Sequence, residues 1–142
     1  MINSRSLRDL HPKVSILAQK MIAECHKNGI DLLVTSTFRD AEAQNALYAQ
    51  GRTRAGAIVT NAKAGQSFHN YRVAFDVVPI VNGKPVWGTD GEDGKLWQSV
   101  GRIGKSVGLE WAGDWERPKE YPHFQYTQGL TLADFAKSKT IK

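Results

Sequence analysis

The chain is short of the residues that usually settle a fold or a function at a glance. It holds one cysteine, Cys25, in 142 residues, so an internal disulfide is excluded. Cys25 falls on the apolar stripe of the first expected helix, where a buried thiol is expected. No apolar run approaches the ~18 residues of a membrane span, and no stable membrane association is expected. The opening segment Met1-Ile2-Asn3-Ser4-Arg5-Ser6 lacks the apolar core of a signal peptide, so synthesis and folding in the cytoplasm are expected. There is no internal repeat, no linker and no recognisable nucleic-acid motif. Nucleic acid is therefore not an expected partner, despite a formal net charge of +5. The 19 Lys and Arg are spread along the chain, with clusters at Arg52-Thr53-Arg54 and across residues 137–142. They suit a solvated surface, or long-range attraction to a polyanion. At 41% hydrophobic and 23% charged, the composition is that of an ordinary globular protein. Its length suits one domain over residues 1–142 with a single core, and a monomer is expected.

Histidine is scarce as well, with only His11, His26, His69 and His123. His11 precedes Pro12 at a helix start and His26 lies near a helix end; both have structural explanations. His69 belongs to the stretch Ser67-Phe68-His69-Asn70-Tyr71-Arg72-Val73-Ala74-Phe75-Asp76, which mixes chemical groups with core formers. Its imidazole and the Asp76 carboxylate are good ligands for a borderline divalent metal such as zinc. Val73, Phe75 and Val77 alternate with Ala74, Asp76 and Val78, the period of a strand. Residues seven apart on one straight strand point to opposite faces. His69 and Asp76 can converge only if the chain turns between them, and Asn70-Tyr71-Arg72 is the expected turn. A catalytic zinc takes three protein ligands and an open position, so a third ligand is needed. His123 is the remaining candidate. Pro122 forbids a regular helix before it, and His123-Phe124-Gln125-Tyr126 reads as a short strand. The His123/Gln125 face would look into a site while Phe124 packs behind. Glu120 lies three residues ahead, placed to act on a water at the metal.

The spacing Ser67-x-His69-x6-Asp76, followed by Glu120-x-x-His123, resembles the zinc D-Ala-D-Ala carboxypeptidase and L-alanyl-D-glutamate peptidase family. That family includes vancomycin-resistance dipeptidases and bacteriophage endolysins. Ser36-Thr37-Phe38-Arg39, Gln44, the run from Leu47 to Thr53 and Trp111-Ala112-Gly113-Asp114-Trp115 resemble its phage branch. The likeness covers roughly residues 4–127. It implies the hedgehog/D-Ala-D-Ala-peptidase fold, zinc on His69, Asp76 and His123, Glu120 as general base, and peptidoglycan as substrate. It also implies that Arg39 neutralises a substrate carboxylate or developing oxyanion, and that Ser67 hydrogen-bonds the substrate. An endolysin without a signal peptide would reach the wall after release, helped by a separate membrane-permeabilising protein. A D-Ala-D-Ala carboxypeptidase and a non-catalytic zinc-bearing module are the alternatives. Family members commonly carry Gly where this chain has Arg72. An Arg72 with negative φ that projects to solvent is the expectation there.

The remaining elements follow from periodicity and punctuation. A helix is expected over 12–28, a strand over Ile30–Thr35 and a helix over 41–50 capped by Asp40. Residues 51–66 read as a long loop and a rim of the substrate groove. Asn82-Gly83 signals a type I′ hairpin. The acidic loop from Gly88 to Gly94 ends in an expected N-cap at Asp93, with calcium on Asp90, Glu92 and Asp93 as the other use of its carboxylates. A helix is expected over 95–107, with Leu96, Val100, Ile103 and Val107 buried. Trp111 is expected to pack in the core or to form a wall beside the metal that contacts substrate, as is Trp115. Thr131 should cap a short last helix, followed by a frayed basic tail. The fold class is α+β, a small antiparallel sheet with helices packed on one side.

Overall fold

Pro12 opens α1 (Pro12–Lys27), because its fixed φ suits a first turn and its missing N–H is not needed there. His11 caps this helix, its Nδ1 accepting the Lys13 N–H at 3.2 Å. The computed structural model describes residues 1–116 and 118–142. After α1 come β1 (Asp31–Ser36), α2 (Ala41–Ala49), β2 (Ala74–Val81), β3 (Lys84–Pro85), α3 (Gly91–Ser106), β4 (Glu110–Trp111), β5 (His123–Gln125) and α4 (Leu132–Ala136). The strands form one antiparallel sheet in the order β1-β2-β5-β4, with β3 paired to the far end of β2. Asn82 and Gly83 turn that hairpin with φ 52° and 76°, the two positive values a type I′ turn requires.

The register decides which face is core. Phe75, Phe124 and Trp111 are cross-strand partners on β2, β5 and β4, stacked at 5.9 and 6.3 Å between ring centroids. Val14, Ala18, Met21 and Cys25 of α1 are fully buried in the same cluster. From α3, Gly104 lies so close that a Cβ there would overlap the Phe124 ring. Truncating Phe124 to Ala in such packing costs about 3–5 kcal/mol. Burial raises the Cys25 thiol to about 11, with Glu24 adding to the shift, so it stays protonated and inert. The opposite face of the sheet carries Asp76, His123 and Gln125.

Four local expectations need correction. Helix α3 starts at Gly91, not 95, so Asp90 is its N-cap and Asp93 sits in the first turn. Acidic side chains there complement the helix dipole without capping it. Its deepest aromatic is Trp97, fully buried with its indole N–H donating to the Gly88 carbonyl at 3.0 Å, while Leu96 is only half-buried. The C-terminal tail is docked: Ile141 is buried, and Gln128 bonds the Lys142 N–H at 2.7 Å and its carbonyl at 2.9 Å. Arg72 has φ 64° and ψ 23°, the left-handed region, and not a negative φ. Its guanidinium packs 3.8 Å from the Phe38 ring centroid and donates to the Asp9 carbonyl at 2.8 Å.

Candidate metal centre

The site is built by one turn and one strand pairing. Ser67 caps a 3-10 turn over Phe68–Tyr71: its Oγ accepts the His69 N–H at 3.3 Å, and Asn70 Oδ1 accepts the Ser67 N–H at 3.2 Å. Arg72 ends the turn in the left-handed conformation, and β2 starts two residues later. This reversal swings His69 back over β2, where Asp76 points. His123 comes from β5, where it is the register partner of Asp76.

Asp76 Oδ1 lies 3.3 Å from His69 Nε2 and 3.3 Å from His123 Nδ1. One ligand atom from each residue lies within 4.8 Å of the others. Both histidines are buried, and the buried Asp76 Oδ1 has no hydrogen-bond partner. A buried carboxylate oxygen without a donor is costly. A divalent cation among three such atoms satisfies it, so the residues fit a metal. The far side of each ring is tied down, as metal-ligating imidazoles require. His69 Nδ1 meets the Thr37 carbonyl at 2.8 Å, and a carbonyl only accepts; Nδ1 therefore carries a proton and Nε2 is the nitrogen left to ligate a metal. His123 Nε2 meets Gln125 Oε1 at 2.8 Å.

Electrostatics agree with a cation site. Burial alone would raise the Asp76 carboxyl, but the two imidazoles beside it hold it well below the usual carboxylate range. Burial disfavours a charged His123, yet the negative charge of Asp76 beside it raises it above its ordinary value. Burial pulls the Arg39 guanidinium down, with Asp76 and Glu120 acting against that.

A cleft of about 990 Å³ opens over the centre. Arg39, Ser67, Glu120 and Trp115 line it along with the His-Asp-His group. Glu120 is exposed, and its carbonyl accepts the His123 N–H at 3.3 Å, which anchors it to the start of β5. Arg39 is braced by Gln44 Oε1 at 2.9 Å and Ser36 Oγ at 3.2 Å, and its buried Nε has no partner. Trp111 does not line the cleft. It is buried behind the sheet with its indole N–H donating to the Tyr121 carbonyl at 2.8 Å. Trp115 takes the place beside the metal centre, 5.5 Å from the His123 ring.

The calcium expectation is also corrected. Among the described residues the group able to hold a metal is His69, Asp76 and His123. Asp90, Glu92 and Asp93 do not converge, because the helix starts among them; Glu92 instead pairs with Lys95 at 3.1 Å. His26 is exposed, pairs with Asp31 at 2.7 Å and is not part of that group. Sequence reasoning gave no role to the Thr37 carbonyl, which no side-chain pattern reveals. Nor did it assign one to the bond between Gln125 and Glu110, although the His123-x-Gln125 alternation put Gln125 on the site face.

Comparison with known proteins first gives the class. A family model described as D-alanyl-D-alanine carboxypeptidase matches residues 60–126. The peptidoglycan L-alanyl-D-glutamate endopeptidase CwlK of Bacillus subtilis (strain 168) is 42% identical over 122 residues, 82% of this chain and 73% of that protein. The L-alanyl-D-glutamate peptidase of Listeria phage A118 is 33% identical over 140 residues, 94% of this chain. The chain spans only 45% of that phage protein. The chain therefore belongs to the peptidase family of D-alanyl-D-alanine carboxypeptidases and L-alanyl-D-glutamate peptidases. Solved structures share its fold. The Serratia marcescens L-Ala D-Glu endopeptidase ChiX superposes with a TM-score of 0.63 at 21% identity, covering 94% of this chain and 92% of that one. The vancomycin-resistance D,D-pentapeptidase VanY, solved with Zn(II), gives 0.60 at 15% identity, covering 90% and 76%.

Proposed function

We propose that this protein is a zinc endopeptidase that hydrolyses the L-alanyl-D-glutamate bond of peptidoglycan stem peptides and serves in bacterial cell lysis. The observation that carries the reading is the partnerless, buried Asp76 Oδ1 held between His69 and His123 at the floor of the cleft. The two peptidases matched in sequence support the bond and the polymer, since both are L-alanyl-D-glutamate peptidases.

His69 Nε2, an Asp76 oxygen and His123 Nδ1 would hold zinc. Zinc bound there supplies Lewis acidity to a water and to the scissile carbonyl. Glu120, on the cleft wall ahead of His123, takes a proton from the attacking water and passes it to the leaving amine. Arg39, on the cleft lining, offers its guanidinium charge to a substrate carboxylate or to the developing oxyanion. The Ser67 hydroxyl oxygen is occupied as an acceptor, which leaves its proton to donate to substrate. Trp115, rather than Trp111, supplies the apolar wall beside the scissile bond.

A monomer formed by one domain is part of the proposal. No described helix is long and apolar enough to cross a membrane. Access to the wall through a separate permeabilising protein is part of the proposal.

The description of the family model favours a second reading, a carboxypeptidase that releases terminal D-Ala. Digestion of purified peptidoglycan separates the two. New N-terminal D-glutamate, identified by mass spectrometry, is the expected product. Free D-alanine without it would establish the carboxypeptidase instead. Neither product from zinc-loaded protein would overturn both.

A further inference from the structure

We propose that Glu110 and Gln125 form a one-way hydrogen-bond chain that sets the tautomer of His123 and so aims its Nδ1 lone pair at the metal. The inference rests on the metal-centre reading above. It starts from strand register. Gln125 is the partner of Glu110 across β4 and β5, and His123 lies two residues before Gln125 on the same strand face. All three side chains therefore share one face of the sheet, with Gln125 between the other two.

The direction of the chain follows from chemistry. Glu110 Oε2 accepts the Thr127 main-chain N–H at 2.9 Å and meets the Thr127 Oγ1 at 2.9 Å. An N–H can only donate, so the Glu110 carboxylate is the acceptor at this end. An ionised carboxylate has no proton to offer. The Gln125 group facing Glu110 Oε1, at 3.2 Å, is then the amide nitrogen. This turns Gln125 Oε1 towards His123 Nε2, at 2.8 Å. An amide oxygen only accepts, so Nε2 must carry a proton. Nδ1, 3.3 Å from Asp76 Oδ1, is left as the nitrogen able to ligate. Gln125 is 3% exposed, so water cannot stand in for it. His69 needs no such chain, because the Thr37 main-chain carbonyl does the same work. Gln125 and Glu110 are thus positioning residues, acting on the metal through His123.

The test reads the tautomer directly and zinc affinity separately. Nitrogen NMR of the zinc-free wild type, at a pH where His123 is neutral, should show the Nε2–H form. The Nδ1–H form would overturn the proposal without any variant. Gln125→Leu should weaken zinc binding about 10–100-fold, measured by competition with a chromophoric chelator. Gln125→Glu sets a second carboxylate against Glu110 and should also weaken binding. Adding Glu110→Gln to Gln125→Glu reverses the polarity of one link. The amide now at position 110 donates to the carboxylate at 125, which still accepts from Nε2–H. Affinity should return to within a few-fold of wild type. A folded Gln125→Leu protein with wild-type zinc affinity would refute the chain, as would a folded double variant no tighter than Gln125→Glu alone. Absence of zinc binding by the wild type would sink the metal-centre reading, while the tautomer measurement would still judge the chain.

Discussion

Asp76 and His123 face each other directly across β2 and β5, with 3.3 Å between carboxylate Oδ1 and imidazole Nδ1. A strand pair therefore presets two of the three proposed ligands before any metal arrives. The third, His69, depends on a turn. This division of labour predicts different losses at the three positions. Each Ala variant should lose stoichiometric zinc after dialysis, measured by elemental analysis. His123→Ala and Asp76→Ala should also remove the ion pair that steadies the β2–β5 seam in the metal-free protein. Stoichiometric zinc retained by either would contradict the ligand set.

Glu120→Gln should keep the fold and the zinc and lose most activity. The side chain is exposed on the cleft wall, so its loss removes no packing. Loss of a general base typically lowers the rate about 10²–10⁴-fold. Single-turnover rates on a soluble stem peptide, beside zinc content, test this. Near-normal turnover would move the base elsewhere on the cleft wall.

Arg72 holds a strained backbone by contacts remote from the metal. Arg72→Ala keeps the strain but loses the stacking on Phe38 and the bond to the Asp9 carbonyl. It should destabilise the protein by about 1–2 kcal/mol. Arg72→Gly should be less damaging, because glycine avoids a left-handed penalty of about 1–2 kcal/mol. Urea unfolding of both variants measures the difference. Activity should stay within a few-fold of wild type in each. An Arg72→Gly protein less stable than Arg72→Ala would show that strain is not what distinguishes them.

The metal-free and zinc-loaded proteins should respond oppositely to pH. Burial opposes charge on His123, but Asp76 holds its pKa above the ordinary 6.5. That contribution is complete below the unfolded value and disappears as pH rises through the higher folded value. Asp76 is held below its ordinary 3.8, so its contribution is present above that value and lost as pH falls through the folded one. Metal-free protein should therefore unfold at higher urea near pH 6 than at pH 8. Zinc competes with protons for the same atoms, so zinc affinity should rise across that range. Urea midpoints at both pH values, with and without zinc, provide the check. Metal-free protein that gains stability from pH 6 to pH 8 would contradict the pairing.

Local signals carried much of the fold. Helix α1 was expected over 12–28 and ends at Lys27, because Pro12 and Gly29 punctuate a clean apolar stripe. Asn82-Gly83 marked its hairpin because few other residues tolerate two positive φ values. The start of α3 was misplaced because Asp90, Glu92 and Asp93 all suit a helix N-terminus equally well. The docked tail was missed because its anchor, Gln128, gives no local pattern.

Residue chemistry pointed to His69, Asp76 and His123, since the chain has four histidines, two of them with structural explanations, and the strand alternation put Asp76 on an unusual face. Family spacing added Glu120, Arg39 and Ser67. The tertiary structure decided the rest. It chose Trp115 over Trp111 as the cleft wall, set Arg72 in a left-handed turn packed on Phe38, and aligned Glu110 with Gln125 behind His123. The reason is physical. Residue type and period are local properties, readable within a few positions. Register, and the closing of a turn against distant atoms, are set by contacts between residues tens of positions apart, and no short stretch of sequence encodes them.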